Sequence, residues 1–222
     1  WGVLITIFLG DNMKAGGLGS RFGLPRVPVI LLAMILVIGL GAAPANASFD
    51  FIVTSLIDDA FSNDTNPGDG VCSDSAGNCS LRAAMEEALE LALTDPTINP
   101  SIRFAQPMDL YLDPAQFDLP FMVRTTIDAS EHWITNNRAG VTIHGRGQKT
   151  NGFYLSDNCN IYGLMITGFN NAGVYITGTD NVLGGTQYGQ GNVINGCGTG
   201  VLVQGTRDDA VVGPDGFIIN PA

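Results

Sequence analysis

After Gly140 the chain repeats itself. The pattern Gly-apolar-x-apolar occurs at Gly140–Ile143 (GVTI), Gly152–Leu155 (GFYL), Gly173–Ile176 (GVYI) and Gly200–Val203 (GVLV), the last three beginning 21 and 27 residues apart. A second run lies between them: Asn160–Gly163 (NIYG), Asn181–Gly184 (NVLG) and Ala210–Gly213 (AVVG). A third run is Met165–Gly168 (MITG), Val193–Gly196 (VING) and Ile218–Asn220 (IIN). Three short strands per repeat, with a period in the low twenties and Gly, Asn, Asp and Thr at the corners, predict a parallel β-helix. A lone coil cannot bury the apolar side of its strands, whereas stacked coils bury a continuous core and share ladder hydrogen bonds. Gly and Asn supply the left-handed corners that β-branched residues refuse. The alternative, an up-and-down β-sandwich, would favour two-residue hairpin turns and would not need a fixed order of three strands.

Composition agrees with an all-β reading. Of 29 Gly in 222 residues, 18 lie from Gly140 onward, where corners are needed. Charged residues are 14% of the chain against a usual ~25%, as expected when every second strand residue faces a core. Hydrophobic content of 45% excludes a disordered polyelectrolyte. The net charge of −11 argues against a nucleic-acid partner, which needs a basic footprint.

Residues 1–47 read as processing sequence. Met13 is a natural start, and 1–12 (WGVLITIFLGDN) read as an upstream, non-native segment. Lys14, Arg21 and Arg26 precede the uncharged run Val29–Leu40, and Ala45-Asn46-Ala47 follows with small-x-small spacing. This is the layout of a signal peptide over 13–47, cleaved after Ala47, and it implies a secreted or cell-surface protein. The competing reading is an uncleaved anchor, although twelve apolar residues are short for a ~30 Å hydrocarbon core. Membrane contact is expected only through this segment. Without it, 7 basic and 20 acidic residues remain, a net −13 over 175 residues. That acid excess favours solubility outside the cell and leaves carboxylates for Ca²⁺.

Residues 48–96 form a small N-terminal capping module. Phe49–Ser55 alternates as a strand, Asp58–Gly70 is a polar turn-rich loop, and Leu81, Ala84, Met85, Ala88, Leu91 and Ala92 make one helical stripe. Arg82, Glu86 and Glu90 are expected on the opposite side, with Asn78 or Ser80 as N-cap and Asp95-Pro96 as the stop. Cys72 and Cys79 enclose a short loop; an exported chain favours their disulfide, and no further ligand for a zinc site lies nearby. Asp58, Asp59, Asp64, Asn66 and Asp69 are candidate Ca²⁺ ligands, but their spacing is not that of an EF-hand, and Asx-turns explain the same residues.

Phe51–Ser55, Asn66–Cys72 (NPGDGVC) and Cys79–Ala88 (CSLRAAMEEA) occur in the order found in the CSLREA domain, which this segment resembles over about residues 49–95. The chain has Ala83 where the family name has Glu. The resemblance implies an exported protein in which the module precedes a right-handed parallel β-helix of pectate-lyase-like type. It transfers no catalytic residue, because the module's own activity is not established. Residues 97–139 are a transition with short strands at 102–104, 110–112 and 125–128, broken by Pro100, Pro107, Pro114 and Pro120. The repeats run over 140–222. Nothing after Phe217–Ile219 resembles a closing cap, so the array is expected to continue beyond Ala222.

Parallel β-helix proteins often act on polysaccharides, with stacked acids and a neighbouring base. If Val182 and Val211 are equivalent, Asp180 and Asp209 stack about 5 Å apart with Arg207 near, as a candidate catalytic cluster; a plain polar corner explains them equally. Tyr154, Tyr162, Tyr175 and Tyr188 are candidates for an exposed aromatic strip, Tyr175 and Tyr188 foremost for glycan stacking. Asn160 and Asn181 are expected to stack as a ladder. Cys159 and Cys197 fall in different strand classes and are expected as unpaired, buried thiols. His132 and His144 stand alone. The favoured role is structural, adhesive or glycan-binding, with a polysaccharide or cell-surface glycan as partner. The alternative is a polysaccharide lyase or glycoside hydrolase.

Overall fold

Segments of two to five residues, most with their apolar side chains turned to one face, pair edge to edge as parallel strands. The computed structural model describes residues 49–133, 139–204 and the backbone of 211–212. One sheet holds β1 (Asp50–Val53), β2 (Ser101–Phe104), β4 (Thr126–Asp128), β7 (Asn160–Tyr162), β10 (Val182–Leu183) and β13 (Val211–Val212) in that order. A second holds β3 (Met108–Tyr111), β5 (Val141–His144), β8 (Leu164–Thr167) and β11 (Val193–Asn195). The third holds β6 (Asn151–Leu155), β9 (Ala172–Ile176) and β12 (Thr199–Val203). From β4 onward the chain visits first, second and third sheet in fixed order and then returns. Among the described residues the remaining regular structure is one helix, α1 (Leu81–Thr94), and a 3-10 turn at Ser130–His132. The fold is therefore mostly strand, with parallel pairing in three separate sheets.

Inward side chains form apolar stacks. In the first sheet Phe51 opposes Ile102, then Ile127, Ile161 and Leu183 follow at the same level. In the second, Leu110, Ile143, Ile166 and Ile194 stack. In the third, Leu155, Ile176 and Val203 do so. Most of these are fully buried and belong to one core, which also takes Leu81, Ala84, Met85, Ala88 and Leu91 of α1. Each such aliphatic side chain contributes about 1.5–3 kcal/mol by burial.

The corners use residues able to take positive φ. Gly163 and Gly184 sit at the same corner with φ of 73° and 83°. Asn158 and Asp180, both at 58°, open the runs leading into β7 and β10; Asn and Asp tolerate this conformation better than other side chains. Gly152 has a different reason. A Cβ there would lie 2.3 Å from the Gly173 carbonyl oxygen, so the close approach of the next strand requires glycine at this place.

Two register expectations fail. Gly140–Ile143 matches the Gly-apolar-x-apolar pattern but lies in the second sheet, where Val141 pairs with Leu164. The other three copies share the third sheet. Asn160 and Asn181 do not stack: Val182 opposes Asn160, and Leu183 opposes Ile161. Strand pleat has period two, so the buried apolar residue sets the register and the Asn slips by one. Asn160 Nδ2 donates to Thr126 Oγ1 at 3.0 Å. Asn181 points inward instead, and its Oδ1 accepts from the Cys159 N–H at 2.9 Å. The third run pairs as expected over 165–167 and 193–195, while Ile218–Asn220 lies outside the described residues.

Residues 49–95 are held differently. Ser80 is the N-cap of α1, its Oγ accepting from the Ala83 N–H at 2.9 Å, and Asp95 ends the helix. The Cys72–Cys79 disulfide is formed, with sulfurs 2.01 Å apart; closing so short a loop contributes about 2–3 kcal/mol. Of the expected polar side of α1, Glu90 is exposed and Glu86 half-buried, but Arg82 is buried, and so is Glu87, which the stripe left unassigned. Arg82 pairs with Asp58 at 2.7 Å, and Glu87 accepts the N–H groups of Gly68 and Gly70. Arg124, at φ 47°, donates to the Ala92 carbonyl in the last turn of α1, supplying the cation that a helix C-terminus favours.

Candidate functional site

Pro120 lacks an N–H and cannot extend a strand ladder. The segment 113–121 therefore passes beside β6 without joining it, and a single bridge, Met122 to Leu155, ties it to the third sheet. Between this segment and β6 opens a groove of about 490 Å³. One wall is Asp118, Leu119 and Phe121; the floor and opposite side are Asn151, Gly152, Tyr154, Ser156 and Thr177.

The floor follows from the repeat. Tyr154 and Tyr175 occupy the same place in successive copies and oppose each other in register. Their rings lie 4.9 Å apart, tilted by 60°. The Tyr175 hydroxyl donates to the Gln204 side chain, and Asn171 Nδ2 donates to Asn151 Oδ1 at 2.9 Å. Apolar ring faces thus adjoin amide and hydroxyl groups.

The wall is fixed by buried cations. Arg82 donates to the carbonyls of Asp118 at 3.2 Å and Phe117 at 3.1 Å. Lys149, 2% exposed, donates to the carbonyls of Gln116 and Phe117. Burial, and then the neighbouring Arg82 charge, hold the Lys149 ammonium below its ordinary value. Asp58 completes the anchor, accepting the Asp113 N–H at 2.9 Å. Asp118 itself accepts the Thr150 N–H at 3.2 Å. The loop so held presents Phe117 and Phe121 to solvent.

The sequence-derived candidates scatter. Asp58 is committed to Arg82. Asp59 accepts the N–H of Phe61 at 2.8 Å. Asp64 accepts those of Asn66 and Ser73 at 2.8 and 2.9 Å. Asp69 accepts from Val71 N–H and Asn66 Nδ2 at 2.8 and 3.0 Å. These carboxylates serve the backbone, and among the described residues no group of three or more His, Cys, Asp or Glu is placed to hold a metal. Val182 does oppose Val211. Asp180 is exposed at a corner and accepts from Thr179 Oγ1 at 3.1 Å, whereas Arg207 and Asp209 lie outside the described residues. The four tyrosines form no strip: Tyr162 is in the first sheet and Tyr188 projects from the 185–191 loop, so only Tyr154 and Tyr175 meet.

His132 Nε2 lies 2.5 Å from the Phe104 carbonyl. His144 stacks on Tyr111 with centroids 4.2 Å apart, and its Nε2 is 3.7 Å from Asp109. Cys159 and Cys197 are unpaired; Cys159 is buried and Cys197 half-buried. Burial pushes the Cys159 thiol up to about 11. Sequence reasoning missed Asp118, Phe121, Asn151, Ser156 and Thr177. Tyr154 and Tyr175 share the third place of the Gly-apolar-x-apolar pattern, which was the available signal. The signal peptide expected over 13–47 lies outside the described residues, among which no helix is long and apolar enough to cross a membrane. No protein-family model matches the chain, and no curated protein and no solved structure is significantly similar to it.

Proposed function

We propose that this is an exported glycan-binding protein, built as a right-handed parallel β-helix behind a CSLREA-like N-terminal module. The carrying observation is the groove beside β6. It sets Tyr154 and Phe121 beside Asn151, Ser156, Thr177 and Asp118, with Tyr175 packed on the Tyr154 ring from the next strand. Sugars present apolar C–H faces and dense hydroxyls, and aromatic rings beside amide, hydroxyl and carboxylate groups meet both needs. Three parallel sheets visited in fixed order support the β-helix reading. The uncharged run at 29–40 and the Cys72–Cys79 disulfide support export.

Turnover asks for more than binding. Glycoside hydrolysis uses two acids on either side of the scissile bond, and Asp118 is the one carboxylate among the groove's lining residues. Recognition without cleavage, in an adhesive or structural setting, is the role this constellation suits. The test is calorimetric titration of the chain with a panel of oligosaccharides, repeated with Tyr154→Ala. Binding should weaken about tenfold in the variant, roughly 1.4 kcal/mol. An intact fold with no affinity for any oligosaccharide, or an unaffected Tyr154→Ala variant, would refute the reading.

A further inference from the structure

We propose that the groove selects neutral over anionic oligosaccharides, with Asp118 as the residue that determines this specificity; the proposal rests on the glycan-binding reading. Asp118 carries the only charge among the groove's lining residues, and it is negative. The other polar groups that line it are the Asn151 amide and the hydroxyls of Tyr154, Ser156 and Thr177, which suit sugar hydroxyls and offer no counter-charge to a uronate or a sulfate ester.

Asp118 is placed at the groove by its main chain and tied there by one side-chain hydrogen bond. Its side chain holds the Thr150 N–H at 3.2 Å, and its own carbonyl is held by Arg82 at 3.2 Å. The cations behind the wall cannot replace it as ligand contacts. Arg82 and Lys149 are 4% and 2% exposed, and they donate to Asp58 and to the carbonyls of residues 116–118. A ligand carboxylate in this groove would face Asp118 with no free cation among the lining side chains. Two like charges ~5 Å apart at a protein surface weaken binding roughly tenfold even after screening.

The experiment titrates the chain with cello-, xylo- and laminari-hexasaccharides and with oligogalacturonate of equal length, at low salt and at about 0.5 M salt. The best neutral ligand should bind about tenfold or more tightly than oligogalacturonate, and high salt should narrow the gap. Asp118→Asn keeps an acceptor for Thr150 and should bring the two classes to within about threefold, with an unchanged thermal melt as control for folding. Oligogalacturonate binding as tightly as the neutral ligands, or a ratio unmoved by Asp118→Asn, would overturn the proposal. If oligogalacturonate is preferred and Tyr154→Ala abolishes that binding, the groove stands and only the selectivity falls. If neither class binds, the glycan-binding reading fails and takes this one with it.

Discussion

The segment 49–95 and the strand ladders after it solve the same problem by different means. Every buried backbone N–H needs a partner. In the ladders each strand supplies the next, so side chains are free to be apolar, and Ile127, Ile161 and Ile176 sit fully buried. In 49–95 there is one strand and one helix, and the rest is loop. There the N–H groups of residues 61, 64, 66, 68, 70, 71, 73, 76 and 78 are taken up by carboxylates of Asp59, Asp64, Asp69, Asp74, Glu86 and Glu87. The acid-rich composition of this segment is thus the substitute for secondary structure. Buried polar networks of this kind are costly to break in part, whereas an apolar stack loses stability in proportion to what is removed.

The largest expected effect separates the two regimes. Arg82→Ala leaves Asp58 buried without its partner and frees the carbonyls of Phe117 and Asp118, so it should cost about 3–5 kcal/mol by denaturant unfolding. Arg82→Lys should recover little, because an ammonium cannot reproduce the guanidinium fork that serves three acceptors. Removing both charges, in Asp58→Asn with Arg82→Met, should cost less than Arg82→Ala alone. Ile161→Ala, in the middle of its stack, should cost about 2–5 kcal/mol, with no such dependence on a partner. Equal behaviour of the two sites in a double-mutant cycle would erase the distinction.

A smaller effect reads the difference through pH. Burial raises the carboxyls of Glu86 and Glu87 above their ordinary 4.5, only partly offset by the N–H groups they accept. Between 4.5 and the raised values the folded chain binds more protons than the unfolded one. Their contribution to stability is therefore fully present below pH 4.5 and is lost as pH rises through the folded-state values. Glu86→Gln should remove its share of that decline, so the difference in melting temperature between variant and wild type should move in the variant's favour from pH 4 to pH 7. A difference that moves the other way would mean the N–H bond from Asp64, at 2.7 Å, outweighs burial.

The same contrast explains how much could be read in advance. The ladder was legible because its period is written in the chain: the third run pairs Met165 with Val193 as the motif alignment requires. A four-residue pattern is nevertheless too short to name its sheet, so Gly140–Ile143 fell into the wrong class, and only the inward side chains of Ile161 and Leu183 fix the register that misplaced Asn181. The apolar stripe of α1 was legible too. Arg82 and Glu87 were not, because their partners lie 24 and 17–19 residues away in an aperiodic loop. The groove divides likewise. Its floor at Tyr154 belongs to the repeat, while its wall at Asp118 and Phe121 is irregular chain placed by Arg82 and Lys149.

The smallest effect is local and tests the ladder itself. Thr125, Cys159 and Asn181 take equivalent inward places beside the first sheet, given the pairing of Thr126, Asn160 and Val182. Cys159 is fully buried with its thiol near 11, so at pH 8 about one molecule in a thousand would carry the thiolate even if a reagent could enter. Cys197, half-buried beyond β11, has no comparable enclosure. Iodoacetamide at pH 8 should therefore modify Cys197 well before Cys159, with the order read by peptide mass. Modification of Cys159 should wait for opening of the first sheet and follow its unfolding free energy. Because α1 and the acid-bound loop lie outside that stack, Glu86→Gln should shift the melt without speeding Cys159. Cys159 labelling that changes in step with the melt of that variant, in the same direction, would show that the two regions open together.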